Sequence, residues 1–345
     1  SLLSNEEKAV YLAILNAINN FADEINISES NITETNARMI VSYIKIDHPE
    51  IFWFRHGATF HFNSATHIVE RIQLVYCMSR DEALKRQKEI DGIVDSFMES
   101  LSDDMSEYEV ALCAYEDIIK LVDYDTIGLI KQDKKVESAE IPDDLRSIYG
   151  VFINRKAVCS GYAKAFQYLL NKCGIECAYI TSDTHAWNLV KIEGDYYYID
   201  VTWGDSSDTK NGSHQNETVN YDCFCLTTEE ILRLDSHTPD GSIPLPECTA
   251  TKCNYHRRNG LYFEKYNFEK IKNSAYNQVK KGKLDVSFKF GSESEYLLAK
   301  KSLLDNDEFR TIIKYINLSG SYNIQSGYVY AVRDDRWTIA FFMKK

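Results

Sequence analysis

The segment from His185 to Trp203, HAWNLVKIEGDYYYIDVTW, constrains this chain more than any other. Two runs rich in β-branched and aromatic residues flank the pair Glu193-Gly194. That pattern reads as a hairpin closed by a two-residue loop. With those two residues as the loop, Ile192 faces Asp195, Trp187 faces Asp200 and His185 faces Thr202. Side chains alternate along a strand, so His185, Trp187, Asp200 and Thr202 share one face. His185 and Asp200 are then diagonal neighbours, roughly 7–8 Å apart at the backbone and within side-chain reach. A three-residue loop would reverse the parity and place them on opposite faces. An aspartate inside an apolar, aromatic strand carries a charge that needs a partner. A carboxylate there can hold one ring nitrogen of His185 and leave the other for proton transfer.

A third group of the same chemistry lies upstream, in AVCSGYAKAFQYLLNKCGI. From Ala163 the apolar residues Phe166, Leu169, Leu170 and Cys173 recur at helical spacing, and Gly174 stands where a helix would end. Cys159 therefore falls at the start of a helix. There the backbone N–H groups and the positive end of the helix dipole favour a thiolate and can help hold an oxyanion. Alone, Cys159 reads as a small buried hydrophobe, and His185 and Asp200 read as residues that satisfy local hydrogen bonds. The three segments together point to an activated cysteine nucleophile. Trp187, Tyr196, Tyr198 and Trp203 read first as packing, with Trp187 and Trp203 as candidate substrate contacts.

The segments resemble the transglutaminase-like superfamily, in particular its bacterial members. The resemblance is carried by Val158-Cys159-Ser160-Gly161-Tyr162-Ala163, Gly174-Ile175, His185-Ala186-Trp187-Asn188, and Asp200-Val201-Thr202-Trp203 with Asp205. It extends upstream through YEDIIKLVDYDT (Tyr115 to Thr126) and SIYGVFINRKAVC, and runs from near Met105 to Asp205. It implies an α+β, papain-like core, in which a helix carrying the cysteine packs on an antiparallel sheet carrying the histidine and aspartate. It assigns Cys159 as nucleophile, His185 as general base and acid, and Asp200 as the residue that orients His185. Tyr149 and Asn154, just upstream, are candidates for an oxyanion or substrate role. The expected partner is a protein or peptide. Hydrolysis of an amide is the preferred outcome. Amine transfer to glutamine is the alternative, and a non-catalytic binding module that keeps the fold is the reading from another class. No cofactor is expected.

Formal net charge is −13 and no cluster of Lys and Arg occurs, which argues against nucleic acid and anionic membranes as partners. No apolar run is long enough for a membrane span. The chain begins at Ser1 rather than Met, which fits removal of an export signal; a secreted or cell-surface setting is expected, with a cytoplasmic one as the alternative. Nine cysteines form no regular framework. Cys248, Cys253 and His256 have partial zinc-ligand spacing without a fourth ligand, so no metal is expected there. His56, His61 and His67 read as hydrogen-bonded or solvated. Oligomeric state stays open.

Helices are expected over residues 5–23 and 34–46, from Ser79 to Leu101, and from Ser106 to Val122. Residues 61–78 read as strands. Residues 132–144 and 206–220 read as polar loops, and 236–246 as a linker. Further on, 283–290 reads as a strand, 293–304 and 308–315 as helices, and 328–331 with 337–343 as a hairpin across Asp334-Asp335. The expected division is an N-terminal helical and strand region (1–104), a catalytic core (105–250) and a small α+β C-terminal domain (251–345).

Overall fold

A computed structural model describes residues 3–55, 57–125, 143–205, 219–241, 243–320 and 322–345. It mixes helices with short sheets, and the described residues group into two compact units. The first comprises residues 1–180 and 186–190, the second 181–185 and 191–345.

The first unit opens with α1 (Asn5–Asn19), β1 (Glu24–Asn26), α2 (Glu34–Asp47), β2 (Gly57–Phe62) and β3 (Val69–Val75). It continues through α3 (Arg80–Ser100), α4 (Glu107–Leu121), β4 (Asp123–Tyr124), β5 (Lys156–Ala157), α5 (Cys159–Lys172) and β6 (Cys177–Thr181). Helix starts follow local chemistry. Ser4 and Ser106 each form a reciprocal capping box with the glutamate three residues on, and Ser79 accepts from the Glu82 N–H. Strands pair in the order β1-β3-β2, and β4 lies parallel to β5. Ile14, Ile40, Ile72, Ile90, Tyr115 and Phe166 are fully buried. Helix α1 is shorter than expected. Asn20 caps it and Phe21 turns into the left-handed region, φ 54°, so the apolar periodicity outlasts the helix. The stretch expected as strand from His61 begins at Gly57 and is broken by a turn on Asn63, whose side chain accepts from the Ala65 and Thr66 N–H groups.

Strand β7 (Ala186–Ile192) leads through Glu193 and Gly194 into β8 (Asp195–Ile199), and the sheet order is β6-β7-β8. Both loop residues have positive φ, 51° and 88°, as the tight hairpin turn requires. The two-residue loop on which the parity argument depended is thus present.

Strand β8 ends at Ile199, short of the strand expected to run through Thr202 and Trp203. Asp200 caps a short helical turn, α6 (Val201–Gly204), and its side chain accepts from the Trp203 N–H. Aspartate is among the strongest helix caps, and its side chain offers the backbone an alternative to the strand ladder. Thr202 and Trp203 are therefore helical rather than a continuation of the strand.

The second unit then contains α7 (Thr228–Leu232), α8 (Tyr255–Arg258), β9 (Tyr262–Phe263), α9 (Phe268–Lys280), β10 (Asp285–Phe290), α10 (Glu293–Lys300), α11 (Glu308–Gly320), β11 (Tyr328–Arg333) and β12 (Thr338–Met343). Its main sheet runs β11-β12-β10-β9, with β9 parallel to β10. The stacked rings of Phe309 and Phe341, 3.5 Å apart, anchor its core. The expected strand at 283–290 and the hairpin across Asp334-Asp335 are present. Helix α10 passes into a wider turn over Lys301–Asp305, and α11 runs on to Gly320.

The segment read as a linker is held rather than free. Asp240 donates its N–H to the Thr181 carbonyl and accepts from the Thr181 hydroxyl. Most of the polar stretches 132–144 and 206–220, and His56, lie outside the described residues. Among the described residues no helix is long and apolar enough to cross a membrane.

Candidate active site

Cys159 is the first residue of α5 and is half-buried. Val158 before it has no side-chain group to cap the helix. The turn is tight because Gly161 is small. A Cβ there would come 2.7 Å from the Leu145 carbonyl oxygen and 2.8 Å from the Ala157 methyl. Any larger residue must push the turn away from the 143–146 segment. In the same unit, burial pushes the Tyr179 hydroxyl up, and the nearby Cys159 adds to that while Arg146 opposes it. Sequence reading did not single out Tyr179, which carries no motif signal.

Lys164, on the same helix, is lowered to about 8 by burial and then by repulsion from Lys45, Arg55 and Arg146. Tyr149 donates to Glu89 at 3.0 Å, with the Arg86 guanidinium over its ring. Asn154 donates to Asp144 at 3.4 Å. Trp187 is fully buried.

His185 and Asp200 belong to the second unit, and their side chains meet. Nε2 of His185 lies 2.7 Å from Oδ2 of Asp200. The backbone of His185 is held by Ser182, which accepts the His185 N–H on its hydroxyl and donates its own N–H to the His185 carbonyl. Asp200 is fully buried, and its second oxygen caps α6. Burial by itself would raise the Asp200 carboxyl. The charges and hydrogen bonds of His185 and His237 more than reverse this and hold it well below the usual carboxylate range.

His237 is the residue that sequence reading missed. It sits in the stretch read as a linker, yet it is fully buried. Its Nε2 lies 2.7 Å from the same Asp200 oxygen that His185 uses. Its ring stands edge-on to those of His185 and Trp203, each at 4.7 Å between centroids. The Arg336 guanidinium covers the Trp203 ring at 4.5 Å. No spacing rule links a histidine to an aspartate 37 residues away.

Donor atoms of His185, Asp200 and His237 all lie within 4.8 Å of one another, a grouping that could hold a metal ion. Both histidines contact the carboxylate directly at 2.7 Å, so hydrogen bonds already satisfy these atoms without an ion. The cysteines are all unpaired thiols. Among the described residues Cys248, Cys253 and His256 form no ligand cluster. His256 instead meets Ser287 at 3.0 Å and Asp222 at 3.4 Å.

No family model matches the chain. It is similar to Kyphoscoliosis peptidase of Mus musculus, 28% identical over 125 residues, which are 32% of this chain and 18% of that protein. Similarity to Kyphoscoliosis peptidase of Homo sapiens is also 28%, over 135 residues, 34% of this chain and 19% of that protein. The chain thus spans less than a fifth of the length of these curated relatives. A crystal structure of a TGase aligns with 46% of each chain at 13% identity and a TM-score of 0.31.

Proposed function

We propose that this chain is a cysteine-dependent acyl-transfer enzyme of the transglutaminase-like kind, acting on amides of proteins or peptides and resolving its acyl-enzyme with water. The observation that carries the reading is the buried His185–Asp200 hydrogen bond at 2.7 Å. It commits Nε2 of His185 to the carboxylate, so proton exchange with a thiol runs through Nδ1. The residue offered as the thiol is Cys159 at the start of its helix.

In this reading the Cys159 proton passes to His185 and sulfur bonds to the amide carbon. The C–N bond then breaks as His185 returns the proton to the leaving amine. Water adds to the thioester with His185 as base, releasing the acid and restoring the thiol. The peptidase name of two similar proteins favours water over an amine acceptor.

The test uses peptides with and without a labelled primary amine, analysed by mass spectrometry. Hydrolysis abolished in Cys159→Ala supports the reading. Label incorporation with little hydrolysis would make the protein an amine transferase. Alkylation of Cys159 at pH 6 no faster than that of an ordinary thiol would make it a non-catalytic module.

A further inference from the structure

His237 carries a second consequence. Its Nδ1 lies 2.7 Å from the Asp235 carbonyl oxygen, and its Nε2 lies 2.7 Å from Asp200 Oδ2. A carbonyl oxygen has no hydrogen to give, so Nδ1 must carry one. Asp200 accepts the Trp203 N–H on Oδ1 and meets one ring nitrogen of each histidine at Oδ2, and with its carboxyl held well below the usual range it is ionised and can only accept. Nε2 of His237 must then carry a hydrogen as well. Neutral imidazole has one N–H, and only imidazolium has two.

We propose that His237 is a buried imidazolium that acts on His185 through Asp200, holding the carboxylate as a second donor and offsetting its charge. It is a positioning residue, since it reaches His185 through Asp200. The charge arithmetic gives it an effect. A lone carboxylate beside His185 would strongly favour the protonated form of that ring. With His237 protonated, the Asp200–His237 pair is close to neutral, and His185 is left a weaker base.

Among the described residues, four titratable or charged groups face the His237 ring. They are Asp200, the His185 ring at 4.7 Å, the Arg336 guanidinium behind Trp203, and the Cys223 thiol, whose charge couples to Asp200. Arg336 adds positive charge and acts in the same direction as His237. Burial keeps the Cys223 thiol neutral by pushing it up to about 12. The protonation state of His237 stands on its two 2.7 Å contacts together with an ionised Asp200. Its consequence for catalysis rests on the reading of Cys159 and His185 as the reacting pair.

The experiment is nitrogen-15 NMR of the histidine rings in the full chain carrying Cys159→Ala, from pH 5 to 9. The expected result is one buried histidine with both ring nitrogens protonated at pH 7, assigned to His237 by its loss in His237→Gln. A bare ring nitrogen on His237 at pH 7 would overturn the proposal. In His237→Gln, which keeps an amide donor but no charge, the His185 midpoint should rise by about one pH unit, tenfold in proton affinity. An unchanged or lowered midpoint would sink the charge-offset role. If His237→Gln does not fold, the spectrum of Cys159→Ala decides alone. If Cys159 in the native chain reacts as an ordinary thiol while His237 keeps both protons, the proposed enzyme function fails and the His237 assignment stands.

Discussion

Two fully buried aspartates of the second unit, Asp200 and Asp222, each touch histidine, and they are built for different ends. Asp222 is paired with the Arg333 guanidinium at 3.1 Å. Burial would raise its carboxyl, but Arg333, His256, Lys289 and Arg336 together hold it below the ordinary value. With permanent cations already present, His256 has no need to be charged. Burial lowers it to about 4, and it remains neutral at pH 7. Among the described residues Asp200 has no arginine or lysine on its oxygens, only imidazoles and a backbone N–H. Its counter-charge must come from imidazolium, which unlike a guanidinium can give up its proton. Arginine around an aspartate makes an anchor, whereas histidine around an aspartate makes a site where a proton can move.

The sharpest test of this contrast is Asp200→Asn. If the proposed mechanism holds, the rate should fall by roughly 10⁴-fold, because an amide no longer fixes the working tautomer of His185. Steady-state kinetics with protein expressed at normal levels would measure it, and near-native turnover would place Asp200 among the anchors.

Next is Asp222→Asn, which leaves Arg333 and its neighbours buried without their counter-charge. A loss of about 3–5 kcal/mol in urea unfolding is expected. A loss near zero would remove the distinction between the two clusters.

The third effect is pH dependence. His256 is neutral in the folded chain down to about pH 4, whereas the unfolded chain takes up the proton near 6.5. Its contribution is therefore fully present above pH 6.5 and is lost as pH falls towards 4. The loss amounts to about 3 kcal/mol, the free energy of a shift of that size. Unfolding free energies of the native chain and of His256→Gln across pH 4–7 should converge at the acid end, and parallel curves would contradict it.

The smallest expected effect is that of Ser182→Ala. The Ser182 hydroxyl accepts the His185 N–H and donates to the Ser236 carbonyl at 2.6 Å, so it ties the segment of His185 to that of His237. Losing it should cost about 1 kcal/mol, read in thermal or urea unfolding, with a larger effect on the histidine titrations than on stability.

Much of the local structure was legible in the residues. Ser79 and Ser106 marked helix starts, Gly174 marked the end of α5, and Glu193-Gly194 closed the hairpin with both residues at positive φ. Each feature is decided within a few residues by caps, turn sterics and side-chain alternation. The two-residue hairpin led to the expectation that His185 and Asp200 come within reach, and their side chains do meet, although both residues lie just outside strands β7 and β8. The turn at Asp200 was less legible, because one side chain there serves as helix cap and imidazole partner at once.

By itself, then, the sequence determined the helix start at Cys159, the two-residue hairpin and the nearness of His185 to Asp200, all consequences of patterns that act over a few residues. Only the tertiary structure decided that His237 arrives on the same carboxylate and that Arg333 arrives on Asp222. Those contacts join residues separated by 37 positions and more than a hundred positions along the chain. No local pattern encodes such pairings. They follow from the path of the whole chain and from the cost of leaving a buried charge without a counter-charge.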